Sequence, residues 1–136
     1  MTDYAPFTEY LGAQVASAAA AADASALLVA PVDGKIASAS IVPLTVLTGA
    51  NTDSRTVQVF NRGQAGAGTT LVASKAFTSG VNAAVEDETT ITLSVTAADL
   101  VVAAGDVIEV KSLHVGSTGL AGPQFLARLG FQRALA

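Results

Sequence analysis

His114 is the single histidine of the chain, and there is no cysteine. Acid–base or nucleophilic chemistry would therefore have to pass through that one imidazole. A Ser-His-Asp arrangement of the elbow type needs G-x-S-x-G, which does not occur. Zinc patterns such as H-E-x-x-H, or paired cysteines, fail on the same inventory. His114 falls in a predicted strand and reads as a structural or surface residue, because geometry rather than presence makes a base. The expectation is a protein without catalytic residues, cofactor or metal.

Two other groups of residues could do chemistry. Gly63, Gly66 and Gly68 crowd the stretch Arg62 to Thr70, but their spacing matches neither G-x-G-x-x-G nor G-x-x-x-x-G-K-[ST]. No helix is predicted after them to lend its N-terminal dipole to a phosphate. A hairpin turn is the better reading. Glu86, Asp87 and Glu88, with Asn51 and Asp53, offer oxygen ligands, yet calcium asks for about 6–8 oxygens from a shaped loop and no EF-hand pattern is present. A solvated acidic loop is expected. Asp33, Asp106 and Glu109 could supply an acid–base pair, but turn chemistry or strand exposure already accounts for each.

The elements that would position these residues are strands. Arg55 to Asn61 alternates, with Val57 and Val59 on one face. Thr69 to Phe77, Thr90 to Thr96, Val107 to Val115 and Gln124 to Leu135 follow suit. Ile91, Leu93 and Val95 are expected inward, and Phe125, Ala127, Leu129 and Phe131 share a face. Neither face of Val107 to Val115 is purely apolar, so its inward side stays open. Lys35 to Leu44 alternates loosely, and Pro43 implies an edge or a bulge. Pro31 to Gly34 and Gly105-Asp106 are turn signals. About seven or eight short strands spaced by such turns suggest an all-β, antiparallel β-sandwich, with a jelly roll as the expected architecture.

The first residues differ. Tyr4, Phe7 and Tyr10 sit between Met1 and Gly12, with Pro6 opposing an early helix and Gly12 offering a break. Residues 1–24 are read as an N-terminal arm or first strand region, and 25–136 as the sandwich domain. Alanine's propensity would allow a short helix over Val15 to Ala22, but such a helix has little to bury. An extended strand is expected over Ala13 to Ala24. Tyr4, Phe7, Tyr10 and Leu11 are the candidate contact residues of the arm, packing on their own domain or on a neighbour.

Composition narrows the partners. The 136 residues suit one domain with its own core. Only 13% are charged, about half the usual share, so Ala, Ser, Thr and Gly must cover much of the surface. Such a surface invites association. A net charge of −4 with seven scattered Lys and Arg disfavours nucleic acid. The weakly apolar stretch Ala13 to Ala30 is interrupted by Gln14, Ser17, Asp23 and Ser25 and is too polar for a membrane span. No basic n-region precedes an apolar run, so a signal peptide is not expected. Aromatics are 5% and Trp is absent, which weakens the case for a sugar-stacking site.

Three phrases carry a resemblance. They are Ile41-Val42-Pro43-Leu44 followed by Leu47-Thr48-Gly49-Ala50-Asn51-Thr52-Asp53-Ser54-Arg55-Thr56-Val57; then Phe77-Thr78-Ser79-Gly80-Val81-Asn82-Ala83; then Leu100-Val101-Val102-Ala103-Ala104-Gly105-Asp106-Val107. The region from about Pro31 to Val115 resembles the capsid decoration, or cement, proteins of tailed bacteriophages, particularly those of actinobacteria. The resemblance does not reach residues 1–24. It implies a virion protein on the outer surface of the capsid that binds the major capsid protein, stabilises the head and forms a homotrimer. The alternative expectation is a receptor- or glycan-binding sandwich from a tail fibre or a secreted protein.

Overall fold

The computed structural model describes residues 3–135; Met1 and Thr2 of the predicted arm, with Ala136, lie outside the described residues. Among the described residues ten strands are present: β1 Glu9–Val15, β2 Ala24–Val29, β3 Gly34–Pro43, β4 Ser54–Asn61, β5 Thr70–Phe77, β6 Thr89–Thr90, β7 Thr92–Leu93, β8 Val101–Val102, β9 Val107–Val115 and β10 Phe125–Arg133. One 3₁₀ turn, Ala97–Leu100, precedes β8. Every strand pair is antiparallel. The first sheet runs β1-β10-β3-β6, with β8 pairing the other end of β3, and the second runs β2-β9-β4-β5-β7. The two sheets pack face to face as an all-β sandwich. Among the described residues no helix is long and apolar enough to cross a membrane.

Alternation builds the core directly in the long strands. Phe125, Ala127, Leu129 and Phe131 of β10 are all buried, facing Val57 and Val59 of β4 and Ile108 and Val110 of β9 in one continuous cluster. For β9 the inward face is thus that of Ile108, Val110 and Ser112. Its other face, Glu109 and Lys111 included, is half-exposed.

Two bulges explain where alternation slips. In β3 the register passes from Phe131↔Ile36 to Gly130↔Ser38, so Ala37 is the extra residue. That insertion lets Ile36, Ala39 and Ile41 all face inward despite their uneven spacing. In β5 the pairing moves from Val59↔Ala73 to Phe60↔Leu71, and the extra Val72 is buried beside Ala73. Pro43 ends β3, two residues beyond the Ile41↔Thr89 pair of β6, so its missing N–H costs no β3–β6 bond.

The alternating stretch Thr90 to Thr96 is not one strand. β6 pairs with β3 in the first sheet, β7 pairs with β5 in the second, and the buried Ile91 sits at the crossing between them. Ile91 fills the core as expected, whereas Val95 lies beyond the crossing and is fully exposed. A period of two does not distinguish a strand that continues from one that changes sheet. At the N-terminus, β1 runs unbroken through Gly12, but the strand expected over Ala13 to Ala24 ends at Val15. Before β2 the chain makes an isolated bridge from Ala18 to Gly122 and turns through Ala19–Ala22, which presents the Ala19 and Ala22 carbonyls to the Arg55 guanidinium.

Candidate functional site

One end of the sandwich is organised by a buried arginine. Arg55 lies on the inward face of β4, in parity with Val57 and Val59, and is 0% exposed. Its Nε donates to the Leu120 carbonyl (2.6 Å) and Nη2 to the Ala19 carbonyl (2.6 Å), while Nη1 donates to the Ala22 (2.7 Å) and Ser112 (3.2 Å) carbonyls. The fork of a guanidinium suits such a set of acceptors. Burial pulls the Arg55 pKa down from its ordinary value, and the nearby Asp23 charge works against that shift. Two residues before it, Asp53 adopts a left-handed backbone (φ 52°). Its Oδ1 accepts from the Thr118 (3.1 Å) and Gly119 (3.0 Å) amides. Asp53 and Arg55 thereby fix residues 16–23 and 116–123 from a single strand start.

Asp23 ties the same region to β9. Its Oδ1 accepts from the His114 amide (2.9 Å) and meets His114 Nδ1 at 2.6 Å, while Oδ2 lies 3.6 Å from Lys111 Nζ. The His114 amide is the main cause that holds the Asp23 carboxyl below its ordinary pKa; burial opposes it, and the His114 ring and Lys111 assist it. A His–Asp pair can orient an imidazole for proton transfer. Here the same carboxylate oxygen is shared with a backbone N–H, so the pair also clamps the start of β2 onto β9.

Apart from Glu86, which is exposed on a left-handed backbone (φ 55°), the remaining candidates are occupied by backbone and ion-pair work. Asn51 Oδ1 accepts from the Ser79 amide (3.1 Å). Glu88 bonds Ser40 (2.7 Å) and Arg128 (2.9 Å), and Asp87 accepts from the Glu88 amide. Glu109 pairs with Arg62, while Asp106 bonds Asn61 and the Ala103 amide. Asp33 accepts from the Ala104 amide (2.8 Å). No cluster of three or more His, Asp or Glu that could hold a metal is present among the described residues. Gly63 and Gly66 take left-handed conformations in the β4–β5 connection, with the Arg62 guanidinium donating to the Gly68 carbonyl.

The four contact residues expected near the N-terminus divide in two. Tyr4 is half-buried, bridges to Ala134 and lies under Lys35 Nζ at 4.6 Å; Leu11 is half-buried on the inward face of β1. Phe7 and Tyr10 point outward, 57% and 54% exposed. Tyr10 stacks against the Arg128 guanidinium (4.2 Å), which joins Glu88 and then Ser40. A continuous row therefore crosses the outer face of the first sheet from β1 to β3. Phe77, Phe125 and Phe131 are in the core, so the strongly exposed aromatics of the described residues are both near the N-terminus. The inward Arg55 was readable from its parity with Val57, although its charge argues for exposure. The Asp53 and Asp23 contacts reach across more than sixty residues and left no signal in the sequence.

Compared with protein-family models, with curated proteins and with solved structures, the chain matches none.

Proposed function

We propose that this chain is a structural virion protein: a decoration protein that binds the major capsid protein on the outer surface of a tailed-phage head and stabilises the shell without catalysis. The observation that carries the reading is the exposure of Tyr10 on the outer side of the first sheet and of Phe7 in the bend just before β1. Aromatics are the residue class that most often anchors protein–protein contacts, and the two strongly exposed ones among the described residues, Phe7 and Tyr10, lie three residues apart in sequence. The sparse charge of the surface fits repeated lateral contacts. The sequence phrases of the middle region resemble that protein class. The strand order, β1-β10-β3-β6 over β2-β9-β4-β5, supports reading the sandwich as a jelly roll, an architecture found in viral capsid and lectin domains.

The test is localisation on the particle. Immunogold labelling of the phage that encodes the chain is expected to decorate the outside of the heads, and pull-down is expected to recover the major capsid protein. Label confined to tails, with a reproducible hit on a glycan array, would replace this reading with the receptor-binding one.

A further inference from the structure

The two sides of the sandwich are finished differently. On one side the edge of β3 is covered by β6 and β8, and the edge of β5 by β7. Both strands also carry a bulge, and β5 carries Lys75. These are the devices by which edges avoid pairing. The inward residues there, Ile36, Ile41, Val72 and Phe77, are fully buried.

On the other side β1 and β2 are both edge strands, and they pack against each other. β2, Ala-Ser-Ala-Leu-Leu-Val, has no charge, no proline and six unbroken pairs with β9. β1 has no proline and seven unbroken pairs with β10. Val15 at the end of β1 is fully buried, but the inward residues Leu11, Ala13, Ala26 and Leu28 stay half-exposed, so the seam between the sheets is open along most of this side. Beside it, Leu27 and Val29 are 64% and 61% exposed.

We infer that this open side is a self-association surface on which a second copy of the chain docks about a two-fold axis normal to the sheets, β2 beside β2 and β1 beside β1. A peptide from another protein could extend one edge only. A second copy offers two stacked edges at the same inter-sheet spacing of about 10 Å. It would satisfy both edges at once, set the outward Leu27 and Val29 against outward side chains of the partner strand, and close the seam over Leu11 and Leu28. Area points the same way, because stable interfaces bury about 800 Å² per partner, more than one short strand edge supplies. An isologous contact uses this side alone, whereas a trimer would need the open side of one copy to meet a sealed side of the next. The inference does not rest on the capsid reading.

Light scattering of the full chain across a micromolar concentration series tests it. A dimer is expected, with Leu27→Lys weakening it at least tenfold and Val95→Lys, on the exposed stretch beyond β7, leaving it intact. Circular dichroism checks that both variants fold. Hydrogen exchange of the unaltered chain gives a second readout: amides of residues 24–29 are expected to gain protection as concentration rises. A monomer throughout, a stoichiometry other than two, or a dimer indifferent to Leu27→Lys would overturn the inference, as would exchange at residues 24–29 that ignores concentration.

Discussion

Arg55 and Gly122 are fitted to each other: a Cβ on residue 122 would lie 3.0 Å from Arg55 Nε and 3.1 Å from its Cζ. The guanidinium occupies the space a side chain would need, and it holds carbonyls from two loops and from β9. Arg55→Met would leave those carbonyls short of donors, at about 1–3 kcal/mol for a buried acceptor that water does not reach. The expected loss is about 3 kcal/mol in urea unfolding. Arg55→Lys should recover little of it, since one ammonium cannot reproduce the fork. Gly122→Ala is expected to cost about 1–3 kcal/mol through overpacking.

Acid stability should follow Asp23 and Glu109. The His114 amide holds the Asp23 carboxyl below its ordinary pKa. Burial is the largest influence on the Glu109 carboxyl and raises its pKa, but Arg62, Ser25 and Lys111 together outweigh it and leave the pKa lowered too. Each group binds its proton less readily when folded than when unfolded. Its contribution is therefore complete above the unfolded carboxylate range, about pH 4, and is lost as pH falls through the folded value. Urea midpoints measured from pH 7 downward should drop on the acid side. Asp23→Asn is expected to lower the neutral-pH midpoint and flatten that drop.

Ile91 and Val95 share the parity of one alternating stretch but not its consequence. Ile91→Ala, at the crossing between the sheets, is expected to cost about 2–5 kcal/mol. Val95→Ala, on a fully exposed side chain, should stay within about 0.5 kcal/mol. Thermal melts of the two variants make the comparison.

Much of the sandwich was legible because β4, β9 and β10 obey a period of two and end in turn residues. Ile36 and Ala39 broke the pattern through the bulge at Ala37, which one strand's sequence does not announce. Thr90 to Thr96 looked continuous because alternation is local, while the partner strand that ends β6 and starts β7 is chosen by distant residues. Gly12 suggested a break, but it pairs antiparallel with Arg128 in mid-strand, where a Cβ would make ordinary contact with Leu126 (3.5 Å). For the candidate site, Phe7 and Tyr10 could be singled out by type. Their exposure, and the row from Tyr10 through Arg128 to Glu88, depended on which strand β10 pairs with.

Tyr10 and Phe7 should matter for binding and little for folding. A cation–π contact at an exposed site is worth about 0.5–1 kcal/mol, so Tyr10→Ala is expected to shift stability by no more than that. Calorimetry of Phe7→Ala and Tyr10→Ala against the parent chain provides the check.

The most direct measurement of the central proposal is binding of the purified chain to phage heads stripped of it, quantified by sedimentation of the particles. Saturable binding to the outside of the heads is predicted, with the Phe7→Ala/Tyr10→Ala double variant weakened by about 2 kcal/mol or more, as for anchor residues. Heads that do not bind the folded chain, or that bind the double variant as well as the parent, would contradict it.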